Sequence, residues 1–261
     1  MLIRAYAKVN IGLDIVGIRG DGYHLLDMVM QTVDLYDEIT ITPREDGRVV
    51  ISCDVPEVPT DGRNLAVKAF RALIPDGDPR GVDISIKKNI PSQAGLGGGS
   101  SDAAATLIAV NEIYDLGKTE EELEKTGAEL GADVPFFIRG GCQRCRGIGE
   151  ILSPAQDDHG DWFIIVKPDE GASTKEVYAA YDKLEYKPDL PNVLEAVTTQ
   201  MVPEIAEIKK ALLAGGAVYA SMTGSGTAVY GIFHEKPSDL VISTIKSRYN
   251  NLFVVKKTKN Q

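Results

Sequence analysis

The sequence predicts an α+β protein built in two parts, and three observations predict it. Apolar and polar residues alternate from Ile3 to Val16, as in a strand with one buried face. Helix signals stand further along: Asn64 ahead of LAVKAFRALI, and Thr119 with Glu122 in capping-box spacing ahead of EEELEKTGAEL, which Gly131 ends. The run PAQDDHG, Pro154 to Gly160, is polar and turn-rich, and a fresh strand–helix series begins beyond it. We place the boundary there, giving parts 1–155 and 156–261 of a 261-residue chain long enough for two modest domains.

The elements follow in order. After the first strand, RGDG (Arg19 to Gly22) reads as a turn, and Tyr23 to Val33 and Glu38 to Thr42 as two strands. Val49 to Cys53 is a further strand, joined to the one before it by the REDG turn. The helix capped by Asn64 puts Leu65, Ala69 and Leu73 on one face, and Val82 to Lys88 returns to a strand pattern. A helix follows from Ser101 to Ile113, then the Thr119 helix. The second part reads as strand (WFIIVKP), helix (TKEVYAAYDKL), helices through PEIAEIKKALLAG, two strands around Gly224 to Gly226, helix (SDLVISTIKSRY) and strand (LFVVKK). That order gives an antiparallel sheet with helices on one side.

Composition narrows the function. With 43% hydrophobic and 25% charged residues the chain fits a globular protein, and no apolar run approaches the roughly 20 residues that span a bilayer. The N-terminus lacks the apolar core of a signal peptide, and three cysteines are too few for a disulfide framework, which together predict a cytoplasmic protein. A net charge of −10 argues against a nucleic-acid binder but leaves small anions open, since a phosphate site needs only local N–H groups and a lysine or two.

The segment PSQAGLGGGSSDAAATL, from Pro91, supplies such a site. Four glycines fall within Gly95 to Gly99, between a strand and a helix start, where free backbone N–H groups converge on an anion. It is neither of the two common cradles. No lysine follows the glycines as a Walker loop requires, and neither frame of the cluster meets the Rossmann spacing. Ser100 and Ser101 can cap the helix or bond a phosphate, and the alanines behind them let the helix pack close.

This loop resembles the second motif of the GHMP kinases, the family of galactokinase, homoserine kinase and mevalonate kinase. AKVNIGLDIVGIRGDGYHLLDMVMQTVDLYD near the N-terminus, LGADVPFF at Leu130 to Phe137 and MTGSG at Met222 to Gly226 are similar to further family motifs, in order and over nearly the whole chain. The resemblance implies a ribosomal protein S5 domain 2-like N-terminal domain and a ferredoxin-like C-terminal one. It also implies an ATP- and Mg²⁺-dependent kinase acting on the hydroxyl of a small cytidine diphosphate-linked substrate, as a monomer or homodimer, with no nucleic acid and no membrane.

Residue by residue, the resemblance implies the following roles. Asp133 takes the hydroxyl proton and Lys8 pairs with it; from spacing alone they read as a turn aspartate and the solvent face of a strand. Asn10 shares the parity of Lys8, hence its face, and helps position substrate. Pro91, Gly95, Leu96, Gly97, Gly98, Gly99, Ser100 and Ser101 wrap the triphosphate, and Gly224, Ser225 and Gly226 fold over it. Tyr23 and His24 hold the cytosine, with Tyr178 as the opposite stacking face and Thr174 one turn earlier. Val177, Tyr178 and Tyr181 also form a core-like stripe, so Tyr178 stands open between stacking and packing. No protein metal site is expected. Cys142 and Cys145 have C-x-x-C spacing but lack a second ligand pair, and Arg139, Arg144 and Arg146 read as an anion patch or as solvated charge.

Overall fold

The computed structural model describes residues 1–156 and 158–258; Asp157, within the turn-rich Pro154–Gly160 stretch, lies outside them. The first sheet is organised by a long hairpin, β1 (Leu2–Ile18) against β2 (His24–Arg44). The two strands expected between Tyr23 and Thr42 are therefore one. The acidic residues that suggest a break are in use: Asp34 accepts the Lys256 N–H at 2.6 Å, and fully buried Asp37 accepts those of Asn89 (2.6 Å) and Ile90 (2.8 Å).

β3 (Val49–Cys53), α1 (Leu65–Leu73) and β4 (Gly81–Lys87) follow. The REDG turn does not close a hairpin. β3 pairs parallel with β4, and β4 lies between β3 and β2. A parallel pair needs a crossover, and α1 supplies it, started by the Asn64 side chain accepting from Ala66 N at 2.9 Å.

α2 (Gly98–Ile113) runs through the interior of this half, with Ala103, Ala104 and Ala105 fully buried, and contacts β1, β2 and α1. α3 (Glu120–Leu130) opens on the expected Thr119–Glu122 capping box and stops at Gly131. A short α4 (Val134–Arg139) leads to β5 (Cys142–Gly147) and β6 (Ile151–Pro154), which extend the sheet beyond β2. In β5, Gln143 and Cys145 point inward while Arg144 and Arg146 point out to Asp27, at 2.5 Å and 3.7 Å, so these arginines are cross-strand partners. Cys142 and Cys145 are three apart on a strand, so their side chains leave on opposite faces and cannot converge on one metal.

The second sheet holds β7 (Trp162–Val166), β8 (Tyr219–Met222), β9 (Val229–Phe233) and β10 (Leu252–Lys256), in the order β10-β7-β9-β8 and antiparallel throughout. α5 (Thr174–Tyr181), α6 (Glu195–Met201) and α7 (Glu204–Ala214) fall between β7 and β8, and α8 (Asp239–Lys246) precedes β10. This is the ferredoxin-like order β-α-β-β-α-β. β7 is buried on both faces. Ile164 and Val166 join the core that includes Ile205, Ile208 and Leu212 of α7. Phe163 and Ile165 pack with Val9, Val33 and Leu96 of the first half. A continuous apolar seam thus fixes one sheet against the other and brings the two glycine segments together.

Candidate active site

α2 begins at Gly98, three residues before Ser101, with Gly97 at the N-cap (φ 77°) and no side chain capping it. Gly98, Gly99 and Ser100 thus form the first helical turn, whose N–H groups have no partner within the helix, and the positive end of the helix dipole faces the loop. Two glycines are demanded by contact. At Gly95 (φ +73°) a Cβ would lie 2.2 Å from the Thr223 carbonyl oxygen, because the MTGSG segment rests directly on the loop. At Gly97 a Cβ would lie 2.4 Å from the Phe137 ring.

Ser101 departs from expectation. It is fully buried, its hydroxyl donates to the Tyr6 carbonyl at 2.6 Å and its N–H to the Gly97 carbonyl at 2.9 Å, so it anchors the helix and offers nothing to a phosphate. Ser100 instead lines a chamber of about 470 Å³ with Pro91, Gly95, Leu96, Gly97, Gly98 and Gly99.

Lys8, Asn10 and Asp133 line the same chamber. β1 is irregular between Tyr6 and Ala7 and again between Asn10 and Gly12, and all four residues from Ala7 to Asn10 between these irregularities are nearly buried, the polar ones included, Lys8 at 4% and Asn10 at 1% exposure. Lys8 is therefore not on a solvent face. Its ammonium donates to Asn10 Oδ1 (2.5 Å) and the Gly95 carbonyl (2.7 Å) and stands 3.9 Å from Asp133 Oδ2. Burial pushes the Lys8 ammonium below its ordinary range, and the Asp133 carboxylate pulls it back. Asp133 sits at the N-cap position of α4 but makes no capping bond, which leaves its carboxylate to the chamber. Thr223 ties the pieces together, accepting the Asn10 N–H at 2.9 Å and donating toward the Gly95 carbonyl at 3.2 Å.

A second chamber, of about 650 Å³, adjoins the first and shares Leu26, Ile148, Thr174 and Tyr178 with it. Tyr23 and His24 line it, with the Tyr23 side chain well exposed. Tyr178 packs on the core, and its ring also meets His24 at a centroid distance of 4.7 Å. Burial, and then the Asp133 charge, push its phenol up to about 12. Thr174 and Ser225 are hydroxyl to hydroxyl at 2.8 Å where the chambers meet. Gly224 and Ser225 line the first chamber, whereas Gly226 turns away toward Met222 and lines a neighbouring hollow.

Two family models cover most of the chain. Residues 64–141 match the GHMP kinases N terminal domain, and residues 169–251 match the GHMP kinases C terminal model. The chain belongs to the GHMP kinases. It is 40% identical to the 4-diphosphocytidyl-2-C-methyl-D-erythritol kinase of Clostridium novyi (strain NT), over 98% of this chain and 99% of the relative. It is 41% identical, over the same shares, to the protein of that name from Clostridium tetani (strain Massachusetts / E88). Its fold matches the crystal structure of a 4-(cytidine 5'-diphospho)-2C-methyl-D-erythritol kinase with a TM-score of 0.83 at 31% identity, covering 98% of this chain and 99% of that one. As a GHMP kinase it uses ATP as phosphoryl donor.

In this GHMP kinase, several residues at the site escaped the reading of the sequence. Asn192 donates to the carbonyls of Met222 (2.9 Å) and Gly224 (2.8 Å), and Glu195 accepts from Met222 N (2.9 Å) and Ser221 Oγ (3.1 Å), so both hold the second glycine segment. Lys88, under the first loop, is shared by the carboxylates of Asp37 and Asp102. Burial works against its charge, but the two carboxylates overcome this and hold its ammonium above the ordinary range. The only local hint of this cluster was a lysine ending a strand.

The cluster makes a prediction about pH. Burial drives the Asp102 carboxyl up to about 7, with Lys88 opposing and Asp37 reinforcing. A carboxyl raised on folding holds its proton more tightly in the folded chain, so its contribution to stability declines as pH rises from its unfolded value of about 3.9 and levels off above about 7. Unfolding midpoints of the wild type should therefore fall, relative to those of Asp102→Asn, across that window and run parallel above it. Midpoints that stay parallel throughout would contradict the raised value.

Proposed function

We propose that this chain is a cytoplasmic enzyme that transfers the γ-phosphoryl group of ATP to the 2-hydroxyl of 4-diphosphocytidyl-2-C-methyl-D-erythritol, a step of the non-mevalonate isoprenoid precursor route. The observation that carries the reading is the junction of the two chambers. One is built from free helix N–H groups with Lys8 and Asp133, and the other from Tyr23, His24 and Tyr178. Phosphoryl transfer asks mainly for positioning and charge neutralisation, which the first supplies, and a base asks for flat aromatic faces with a hydrogen-bonding edge, which the second supplies.

The chemistry follows from the placement. Asp133 accepts the proton of the acceptor hydroxyl as its oxygen bonds to the γ-phosphorus and the bond to the ADP oxygen breaks. Lys8, fixed by Asn10 and the Gly95 carbonyl, holds positive charge beside the reacting oxygens. The loop N–H groups of Gly98, Gly99 and Ser100 take the phosphate charge, and Gly224 and Ser225 close the chamber from the other side. The Ser100 hydroxyl at the phosphate position is a hard oxygen and suits Mg²⁺. Ser100 would hold the ion together with the nucleotide, and when bound it would neutralise charge on the β and γ oxygens. In this reading the chain divides near residue 155, and the base chamber draws on both parts, Tyr23 and His24 from the first and Thr174 and Tyr178 from the second.

A mevalonate-type acceptor has no base to place between these rings, which favours the cytidyl reading. The presence of both Lys8 and Asp133 favours turnover over a non-catalytic nucleotide module. ADP release measured with the cytidyl substrate, with mevalonate and with no acceptor tests this. Turnover should require the cytidyl substrate and be inhibited by cytidine diphosphate. Equal turnover with mevalonate, or indifference to cytidine diphosphate, would overturn it.

A further inference from the structure

We propose that Asp182 is the positioning residue that sets base specificity: it fixes His24 in the tautomer that accepts a hydrogen bond, so the aromatic chamber selects an amino-pyrimidine over a keto-pyrimidine. The proposal rests on the cytidyl reading above and adds a residue and a mechanism to it.

His24 Nε2 lies 2.7 Å from Asp182 Oδ1. An ionised carboxylate only accepts, so Nε2 carries the hydrogen. In the neutral ring the lone pair then sits on Nδ1, which has no hydrogen-bond partner among the described residues. The ring is restrained twice from one helix face. Tyr178 packs against it at 4.7 Å with the planes 35° apart, and Asp182, four residues later at the C-cap of α5, takes its Nε2–H. Turning the imidazole over would break the second restraint. The His24 side chain is only 14% exposed, so its ring meets the chamber with little of its surface given to bulk water.

Cytosine carries an exocyclic amine, a donor, where uracil carries a carbonyl, an acceptor. An Nδ1 lone pair meets the amine with a hydrogen bond and meets the carbonyl with an opposed lone pair. A site built to pair a polar group rejects the analogue that leaves that group unpaired. Without Asp182, either ring nitrogen can carry the hydrogen, and the ring can present a donor to a carbonyl. Asp182 touches neither chamber; it acts through His24.

The test compares inhibition by cytidine diphosphate and uridine diphosphate in the wild type, Asp182→Ala and Asp182→Asn, with KM and kcat for the cytidyl substrate alongside. The wild type should prefer the cytidine nucleotide by about tenfold or more, and Asp182→Ala should bring the two within about threefold of each other. The loss should appear in KM more than in kcat. Asp182→Asn, whose amide oxygen still accepts from Nε2, should keep most of the preference. Full wild-type preference in Asp182→Ala, or loss in Asp182→Asn equal to that in Asp182→Ala, overturns the proposal. A wild type that turns over the cytidyl substrate but ignores the base of the competitor overturns it as well. A wild type with no turnover on that substrate overturns the functional reading beneath it.

Discussion

Asp133→Ala should lower kcat for the cytidyl substrate by about a thousandfold while leaving the KM for ATP nearly unchanged. The asymmetry follows from how the site is built. In the proposed site the triphosphate is held by the backbone N–H groups of Gly98, Gly99 and Ser100 at the start of α2, and not by the Asp133 side chain. The carboxylate is poised for the acceptor: it lies 3.9 Å from the Lys8 ammonium, makes no helix-capping bond and is 31% exposed to the chamber. Removing it also takes from Lys8 the charge that offsets burial, so the lysine becomes easier to deprotonate and its own contribution weakens. Stopped-flow or steady-state kinetics check this. A fall confined to KM for ATP would place Asp133 in nucleotide binding instead.

Gly95→Ala should be the most disruptive single-methyl change in the chain. The residue has φ +73°, where an L side chain is strained, and the added Cβ would lie 2.2 Å from the Thr223 carbonyl oxygen. The clash is with backbone, so the two glycine segments must separate. That separation breaks the Thr223 contact to the Gly95 carbonyl and moves the carbonyl that holds Lys8. A destabilisation of about 3 kcal/mol is expected, lowering Tm by about 6–10 °C for a chain of this size, together with a raised KM for ATP. Thermal denaturation and ATP titration measure both effects. At Gly99, where the nearest atom to an added Cβ is Leu65 Cδ1 at 3.9 Å, the same change should cost little stability.

Much of this was legible in the sequence because it is local. The capping box at Thr119, the Asn64 cap, the strand alternation of β1 and the glycine loop are each written within a few neighbouring residues. The order of helices and strands in the second part reads through to its four-stranded antiparallel sheet for the same reason. What escaped depends on distant partners. Asp37 and Asp34 look like a strand break until the Lys88 cluster and Lys256 are brought to them, 51 and 222 residues away. The pairing of His24 with Asp182 spans 158 residues, and nothing near either residue announces it. β5 carries its own signal, Gln143 and Cys145 inward with Arg144 and Arg146 outward, but Asp27, which decides that Arg144 is a cross-strand partner, lies 117 residues away. Ser101 lies further into its helix than its neighbours suggest, because Gly98 and Gly99, poor helix formers, belong to the helix. In the first turn their missing side chains are what let the N–H groups face a ligand, and the packing of the alanines behind them holds the helix in place.

In the proposed site a phosphate grip and a base chamber work as one, and ³¹P NMR of the wild-type chain incubated with Mg²⁺, ATP and 4-diphosphocytidyl-2-C-methyl-D-erythritol tests that joining most directly. A new phosphomonoester resonance on the cytidyl substrate is expected, growing in step with ADP, with its diphosphate signals retained. Inorganic phosphate appearing with ADP while the substrate stays unmodified, or no reaction of either nucleotide, would contradict it.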